Sequence, residues 1–315
     1  MNGRQGVAEP PATTLRHSER EKPLERGAKW ISGSMGLALD RVFGSRAGNR
    51  FGILVYHRTA PDIHGLPRPF INVSPGCFRG QLAALLARGF TAWPLSRVLQ
   101  HARQRQPIPA RTFVVTFDDG FESVYRHAWP ILRDLDVPAT IFIATAYLDA
   151  HRPFPFDPWG AAYQDRAPGW AYRPLTTDQC LEMKASGLVE IGAHTHTHRD
   201  LRGEPGAFGE DLERSIEVVR SRFGEAQIPF AFPYGRRHTG FAGDELLAAA
   251  RRAGVSCGLT TDAVLVDPST DPFGWGRFNG YAWDTGATIA AKLDGWFSWA
   301  PGLQAWAYRH VGWTR

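Results

Sequence analysis

Two short runs of polar residues, each closing an apolar stretch, carry the side chains of this chain that could do chemistry. The first run holds the adjacent carboxylates Asp118 and Asp119, and the second holds His194 and His198, four positions apart. Carboxylate and imidazole groups bind divalent ions, and three protein ligands leave a position open for water, as in catalytic zinc sites. The spare carboxylate can then act as a base towards that water. The four side chains therefore indicate a catalytic metal site.

The pattern around these runs predicts the elements that must bring them together. Apolar strand-like segments alternate with helical segments such as residues 208–223, which is typical of parallel strands covered by helices. Both polar runs follow predicted strands, and in a β/α barrel the catalytic groups collect at that rim. We predict an α/β fold with strands at residues 51–56, 112–117, 139–144, 188–191, 228–232 and 255–259.

Composition and charge set limits on the domain organisation and on the partners. The chain has 315 residues, of which 43% are hydrophobic and 21% are charged, so one barrel domain of about 250 residues plus an extension fits. Four of the five net positive charges lie in residues 1–50, which we predict to be a basic, partly disordered extension. Because the rest is nearly neutral, we expect no nucleic-acid partner.

The cellular location is predicted from the cysteines and from the apolar runs. Three widely spaced cysteines without a C-x-x-C pair are expected to be free thiols, which fits a reducing compartment. No secretory signal and no run long enough to span a bilayer is visible, so we expect a cytoplasmic protein. The basic residues 1–50 and the aromatic residues near the C-terminus also fit peripheral contact with the inner face of a membrane. The alternative is a last helix packed on the barrel.

A long segment, residues 147–175, does not have the pattern of a regular element. A loop of this length in a compact domain is usually functional or disordered, and its aromatic content argues against disorder. Flat aromatic faces suit sugar rings, but the same rings could simply pack the loop down, and the sequence leaves both interpretations open. The rings belong to Phe154, Phe156, Trp159, Tyr163, Trp170 and Tyr172.

Three motifs, in this order, resemble those of the polysaccharide deacetylases of the NodB-homology type, carbohydrate esterase family 4. They are TFDDG at residues 116–120, H-T-x-x-H at 194–198 and FPYG at 232–235, and the resemblance covers residues 51–280. It implies a distorted (β/α) barrel, with residues 51–315 forming the deacetylase domain.

The resemblance also implies roles for individual residues. Asp118 is then the base, and the backbone N–H of Tyr234 faces the oxyanion. The ligands of one divalent ion, for which zinc is expected, are Asp119, His194 and His198. The groove that binds substrate is lined by Pro233, Tyr234 and Gly235, and we add Trp159 as a candidate contact with sugar.

Two departures from the family pattern concern the proton donor and a motif arginine. The arginine that usually precedes P-Y-G is replaced by Ala231, and Arg277 is a candidate to replace it in space. The usual late histidine segment is not evident, but the chain opens with an apolar strand that ends at His57. This order is similar to the permuted branch of exopolysaccharide poly-N-acetylglucosamine deacetylases, in which His57 would be the general acid. The alternative is a structural histidine at a strand end.

The implied reaction is hydrolysis of N-acetyl groups from N-acetylhexosamine residues of a glycan. Two alternatives stay open: an esterase that removes O-acetyl groups from glycans, and a carbohydrate-binding protein that keeps the fold without turnover. The partner that we expect is an acetylated glycan, and the sequence does not predict the oligomeric state.

Overall fold

The structure is a computed structural model that describes residues 47–296, and a curled sheet of parallel strands is its central feature. From one edge to the other, the strands run β10-β9-β8-β7-β6-β5-β1-β11, with β4 beside β5, and β2 pairs only with β3. Each pairing is parallel. The strands are β1 (Gly52–Tyr56), β2 (Arg58–Thr59), β3 (Asn72–Val73), β4 (Thr91–Ala92), β5 (Thr112–Phe117), β6 (Ala139–Ile143), β7 (Val189–Ala193), β8 (Phe230–Ala231), β9 (Gly258–Leu259), β10 (Phe273–Trp275) and β11 (Phe278–Asn279).

Eight α-helices are present in residues 47–296, and local capping signals set where several of them begin. Ser74 caps the first by accepting from a backbone N–H, and Thr176 and Thr285 each form a capping box, which satisfies donors that the first turn leaves free. The helices are α1 (Pro75–Leu86), α2 (Leu95–Arg103), α3 (Trp129–Leu135), α4 (Pro158–Tyr163), α5 (Thr177–Ala185), α6 (Pro205–Phe223), α7 (Asp244–Arg252) and α8 (Gly286–Leu293).

The first strand lies in the middle of the sheet, between β5 and β11. Strand β1 pairs with β5 along its whole length, and Tyr56 lies opposite Phe117. His57 and Asp118, the next residue of each strand, therefore leave the sheet at the same rim. All residues of β1, β5 and β6 are buried, because helices cover the outer face and side chains fill the inner face of such a sheet.

The predicted strands agree with the structure, except that two late ones are shorter than expected. Residues 228–232 and 255–259 contain only the two-residue strands β8 and β9. Residues 122–136 do not form one regular α-helix, because a π-helical turn, Val124–Ala128, precedes α3. Pro130 explains it, because a proline ring collides with the carbonyl group four residues earlier in a regular α-helix, and a wider turn relieves the collision.

The long segment 147–175 has more regular structure than the sequence predicts. It contains α4 and the 3-10 turn Gly169–Ala171, and another 3-10 turn, Thr145–Tyr147, leads into it. Phe154, Trp159 and Tyr172 are buried, and the Trp159 indole N–H donates to the carbonyl oxygen of Pro67 at 2.8 Å. Most of these rings therefore pack the segment onto the barrel.

Several sequence-based expectations concern parts of the chain at the limits of the described residues. The extension 1–50 is described only from residue 47, and the aromatic C-terminal segment only up to Trp296. The three cysteines are free thiols, as expected. Within residues 47–296, no helix has both the length and the apolar character that crossing a membrane requires.

A buried ion pair joins the segment 147–175 to strand β2. The guanidinium group of Arg58 bonds the carboxylate of Asp157, and both side chains are about 95% buried or more. Arg58 also donates to the carbonyl oxygen of Ala171 at 3.2 Å and lies 3.9 Å from the centre of the Phe121 ring. Burial lowers the pKa of Arg58, while Asp157 opposes that change. The pair therefore holds the segment beside the strand that follows His57.

We expect Asp157→Asn to destabilise the fold by about 3 kcal/mol, because the change leaves a buried guanidinium without its counter-charge. The free energy of unfolding in urea measures it. The matched control is Asp62→Asn, which breaks an exposed ion pair with Arg68 and should cost under about 1 kcal/mol. Equal losses in the two variants would contradict the role given to the buried pair.

Candidate metal centre

The sheet brings the predicted carboxylates and histidines to one rim from the ends of two strands, β5 and β7. Asp118 and Asp119 follow β5, and His194 and His198 follow β7, with β6 between them. The backbone N–H of Asp118 donates to the carbonyl oxygen of Tyr56 at 2.9 Å, so the chain leaves β5 still attached to β1. The rim therefore holds the polar groups on rigid strands.

Three side chains of this rim point their ligand atoms at one place. Oδ1 of Asp119 is 3.5 Å from Nε2 of His194 and 3.4 Å from Nε2 of His198. All three residues are buried, and their ligand atoms lie within 4.8 Å of one another. Burial alone raises the pKa of Asp119, but hydrogen bonds from both imidazoles outweigh it and hold that pKa well below its usual value. An anionic carboxylate between two imidazole nitrogens fits a divalent ion such as zinc.

The His194 ring is oriented by a backbone group. Its Nδ1 lies 2.8 Å from the carbonyl oxygen of Ala231, so Nδ1 carries the proton and Nε2 is left to face Asp119. A hydrogen bond of this kind on the second ring nitrogen is usual for histidines that bind metal. Because the bond goes to the main chain, the alanine at position 231 does not disturb it.

The loop that carries the histidines is held in a strained conformation. Thr195 and His198 have φ angles of 60° and 53°, which side chains with a Cβ seldom adopt. Asp211 on α6 compensates by accepting from the backbone N–H groups of His196 and Thr197 at 2.7 and 3.0 Å. Asp211 could not be predicted from the sequence, because nothing in the helical pattern separates it from a solvent-exposed acid.

The second carboxylate of the pair has a different partner. Arg277 donates to Asp118 through both terminal nitrogens, at 2.6 and 2.8 Å, and Arg277 is completely buried. Asp118 lies 4.0 Å from the nearer nitrogen of His194, farther than Asp119 does. Burial raises the pKa of Asp118, but Arg277, His194 and the hydrogen bonds from Arg277 outweigh it and lower the pKa overall. Asp118 is therefore ionised and outside the three-ligand set.

The imidazole of His57 interacts electrostatically with the carboxylates of Asp118 and Asp119. Burial lowers its pKa, and the negative charges of Asp119 and Asp118 oppose that change. The side chain keeps an intermediate exposure, so it can reach a bound molecule.

The turn at residues 233–235 contacts the three-ligand cluster, which is formed by Asp119, His194 and His198. Tyr234 has a φ of 62°, its ring centre is 4.9 Å from that of His198, and its side chain is 44% exposed. Among the described residues no acceptor bonds its backbone N–H.

Trp159 is not brought to the cluster and packs in the long segment instead. Phe156 of the same segment does reach it, with its ring 3.9 Å from that of His198.

Comparisons with known proteins find similarity to polysaccharide deacetylases. A family model described as polysaccharide deacetylase matches residues 105–258. A poly-beta-1,6-N-acetyl-D-glucosamine N-deacetylase of Staphylococcus aureus strain MRSA252 is 24% identical over 211 residues, which are 64% of this chain. The match spans 65% of the length of that relative.

Solved structures show the same architecture. IcaB from Ammonifex degensii is 26% identical and superposes with a TM-score of 0.63, over 77% of this chain and 96% of that one. A de-N-acetylase from Aggregatibacter actinomycetemcomitans is 21% identical, with a TM-score of 0.64 over 78% of this chain and 100% of that one. These matches confirm the predicted distorted (β/α) barrel.

We expect purified protein to bind about one divalent ion per chain and His194→Ala to lose most of it, because a ligand is removed. His196→Ala is the matched control, since the His196 ring bonds Thr145 at 2.9 Å rather than the three-ligand cluster. Metal analysis after dialysis measures both. Full metal content in a His194/His198 double variant would contradict the site.

Proposed function

We propose that this chain is a polysaccharide deacetylase, a metal-dependent hydrolase that removes N-acetyl groups from N-acetylhexosamine residues of a glycan. The observation that carries the proposal is the separation of two adjacent carboxylates. Asp119 faces two imidazole nitrogens, whereas Asp118 is held by Arg277. One carboxylate is thereby available to a metal ion and the other to a proton.

The proposed metal ligands are Asp119, His194 and His198, and zinc is the ion that suits this mixed set best. When bound, a divalent ion would polarise the acetyl carbonyl and make water a better nucleophile. Protein groups do the rest of the chemistry in this proposal.

Asp118 is the proposed base that takes the proton of the attacking water. Its low pKa keeps it ionised, and its bidentate bond with Arg277 fixes the direction of its carboxylate. Arg277 is the proposed replacement in space for the arginine that the family pattern has at the position of Ala231.

His57 is the proposed acid that protonates the leaving amine, which is otherwise a very poor leaving group. It lies across the rim from the histidine loop, because β1 and β7 are separated by β5 and β6. The backbone N–H of Tyr234 is the proposed donor to the oxyanion that forms when water attacks the carbonyl.

The proposed substrate is an acetylated glycan of the kind named for the staphylococcal relative, a poly-β-1,6-linked N-acetyl-D-glucosamine. Pro233, Tyr234 and Gly235 are the proposed sugar contacts, and the half-exposed Tyr234 ring supplies a flat face. Cytoplasmic location and peripheral membrane contact remain predictions. Cell fractionation and vesicle co-sedimentation at low and high salt test them.

Acetate release from a panel of glycans tests the proposal. Oligomers of β-1,6-linked N-acetylglucosamine should release acetate, a chelator should stop the reaction, and added zinc should restore it. Preference for O-acetylated glycans over N-acetylated ones would favour the esterase alternative. Glycan binding with no release, by protein that carries its metal, would favour the non-catalytic alternative.

We expect Asp118→Asn to lower kcat by about 100-fold or more, because an amide cannot accept the proton of water. Metal content should stay at the wild-type value, which separates this residue from Asp119. Because the change also removes the counter-charge of Arg277, activity should be compared well below the unfolding midpoint of the variant. Turnover close to wild type would mean that the two carboxylates have been assigned the wrong roles.

A second prediction separates an acid from a structural histidine at position 57. His57→Ala should lower hydrolysis of the N-acetyl substrate by about 100-fold, but it should hardly change hydrolysis of 4-nitrophenyl acetate, whose leaving group needs no proton. His64→Ala, at an exposed position, is the matched control and should leave both rates unchanged. If His57→Ala lowers both rates equally, its role is structural.

A further inference from the structure

The two histidines of the proposed metal centre are oriented in different ways. His194 has its Nδ1 bonded to the carbonyl oxygen of Ala231 at 2.8 Å. His198 is 6% exposed, and its Nδ1 is buried with no hydrogen-bond partner among the described residues. Histidines that bind metal usually have such a partner to fix the plane of the ring. Within residues 47–296 no protein hydrogen bond of this kind fixes the His198 ring, so its other contacts decide how it is held.

The aromatic ring of Phe156 is in the right place to do this. Its centre lies 3.9 Å from that of His198, and the two planes are 23° apart, so the rings are stacked face to face. Tyr234 touches the same imidazole by a steeper, edge-on contact at 4.9 Å and 64°. A stacked neighbour limits rotation of a ring about its long axis without using either nitrogen. The Nε2 atom of His198 is thus free to face Asp119, 3.4 Å away.

Phe156 is itself held from two sides. Its ring packs against those of Phe154 and Tyr147, with centres 4.9 and 5.8 Å apart. The next residue, Asp157, forms the buried ion pair with Arg58, and Arg58 directly follows His57. The segment that carries Phe156 is therefore anchored to the strand end that carries the proposed acid.

We propose that Phe156 is a positioning residue of the metal centre, which fixes the His198 ring by stacking where His194 is fixed by a hydrogen bond. This inference rests on the proposed function, because it requires that Asp119, His194 and His198 bind a metal ion. It gives the long aromatic segment a task at the metal centre that is separate from contact with sugar.

Cobalt(II) binding to the full chain tests this proposal without any measurement of activity. Phe156→Leu keeps an apolar side chain but removes the flat face, and we expect it to bind cobalt(II) about 3- to 10-fold more weakly, the range that one aromatic pair supports. Its visible absorption bands should also change, since they depend on the ligand geometry. Phe156→Tyr keeps the ring and should restore both the affinity and the spectrum.

The matched control is Trp170→Leu, which removes another aromatic ring of the same segment. Trp170 contacts His127 edge-on at 4.7 Å, and His127 is not a proposed ligand, so cobalt(II) affinity and spectrum should stay at the wild-type values. Circular dichroism of each variant checks that it is folded at the temperature of the titration.

Three results would overturn the proposal, and they can be told apart. If wild-type protein binds no cobalt(II), the metal centre of the proposed function fails, and this inference fails with it. If wild-type protein binds and Phe156→Leu matches it in affinity and spectrum, only the positioning role fails. Equal losses in Phe156→Leu and Trp170→Leu would show that the whole segment, rather than the stacked ring, supports the centre.

Discussion

The buried ion pair between Asp118 and Arg277 is the interaction on which the arrangement of the rim depends. A guanidinium group with no exposed surface is stable in a protein interior only when a counter-charge and further hydrogen bonds surround it. Arg277 finds them in Asp118, in the hydroxyl of Thr116 and in the carbonyl oxygen of Thr260. The pair links the end of β5 to the start of β11 across the intervening β1, and so it fixes the rim on both sides of His57.

The end of strand β5 explains how two adjacent carboxylates can have different partners. Successive side chains of a regular strand point to opposite faces, so Asp118 and Asp119 could not both face the rim if β5 continued. The strand ends at Phe117, and Asp119 takes a φ of 70°, which turns its carboxylate towards the histidine loop. The carboxylate of Asp118 instead accepts two hydrogen bonds from Arg277. The two carboxylates meet different partners because of where the strand stops.

The sequence predicted the elements and the motif residues because both depend on local pattern. Apolar runs identified the strands, and the two polar runs followed them directly. The position of β1 between β5 and β11 could not be predicted from the sequence, because strand order depends on contacts between distant parts of the chain. Arg277 was only a candidate for this reason. Asp211 and Phe156 were missed as site residues, since their neighbours along the chain give no sign of what they contact.

The histidine loop also shows how a site can be built at a cost in local conformation. Thr195 and His198 both have positive φ angles, a conformation that costs of order 1–3 kcal/mol for each residue. The hydrogen bonds from the loop to Asp211 and the stack of Phe156 on His198 offset that cost. Because these contacts come from α6 and from the long aromatic segment, the geometry of the three-ligand cluster is held by the barrel.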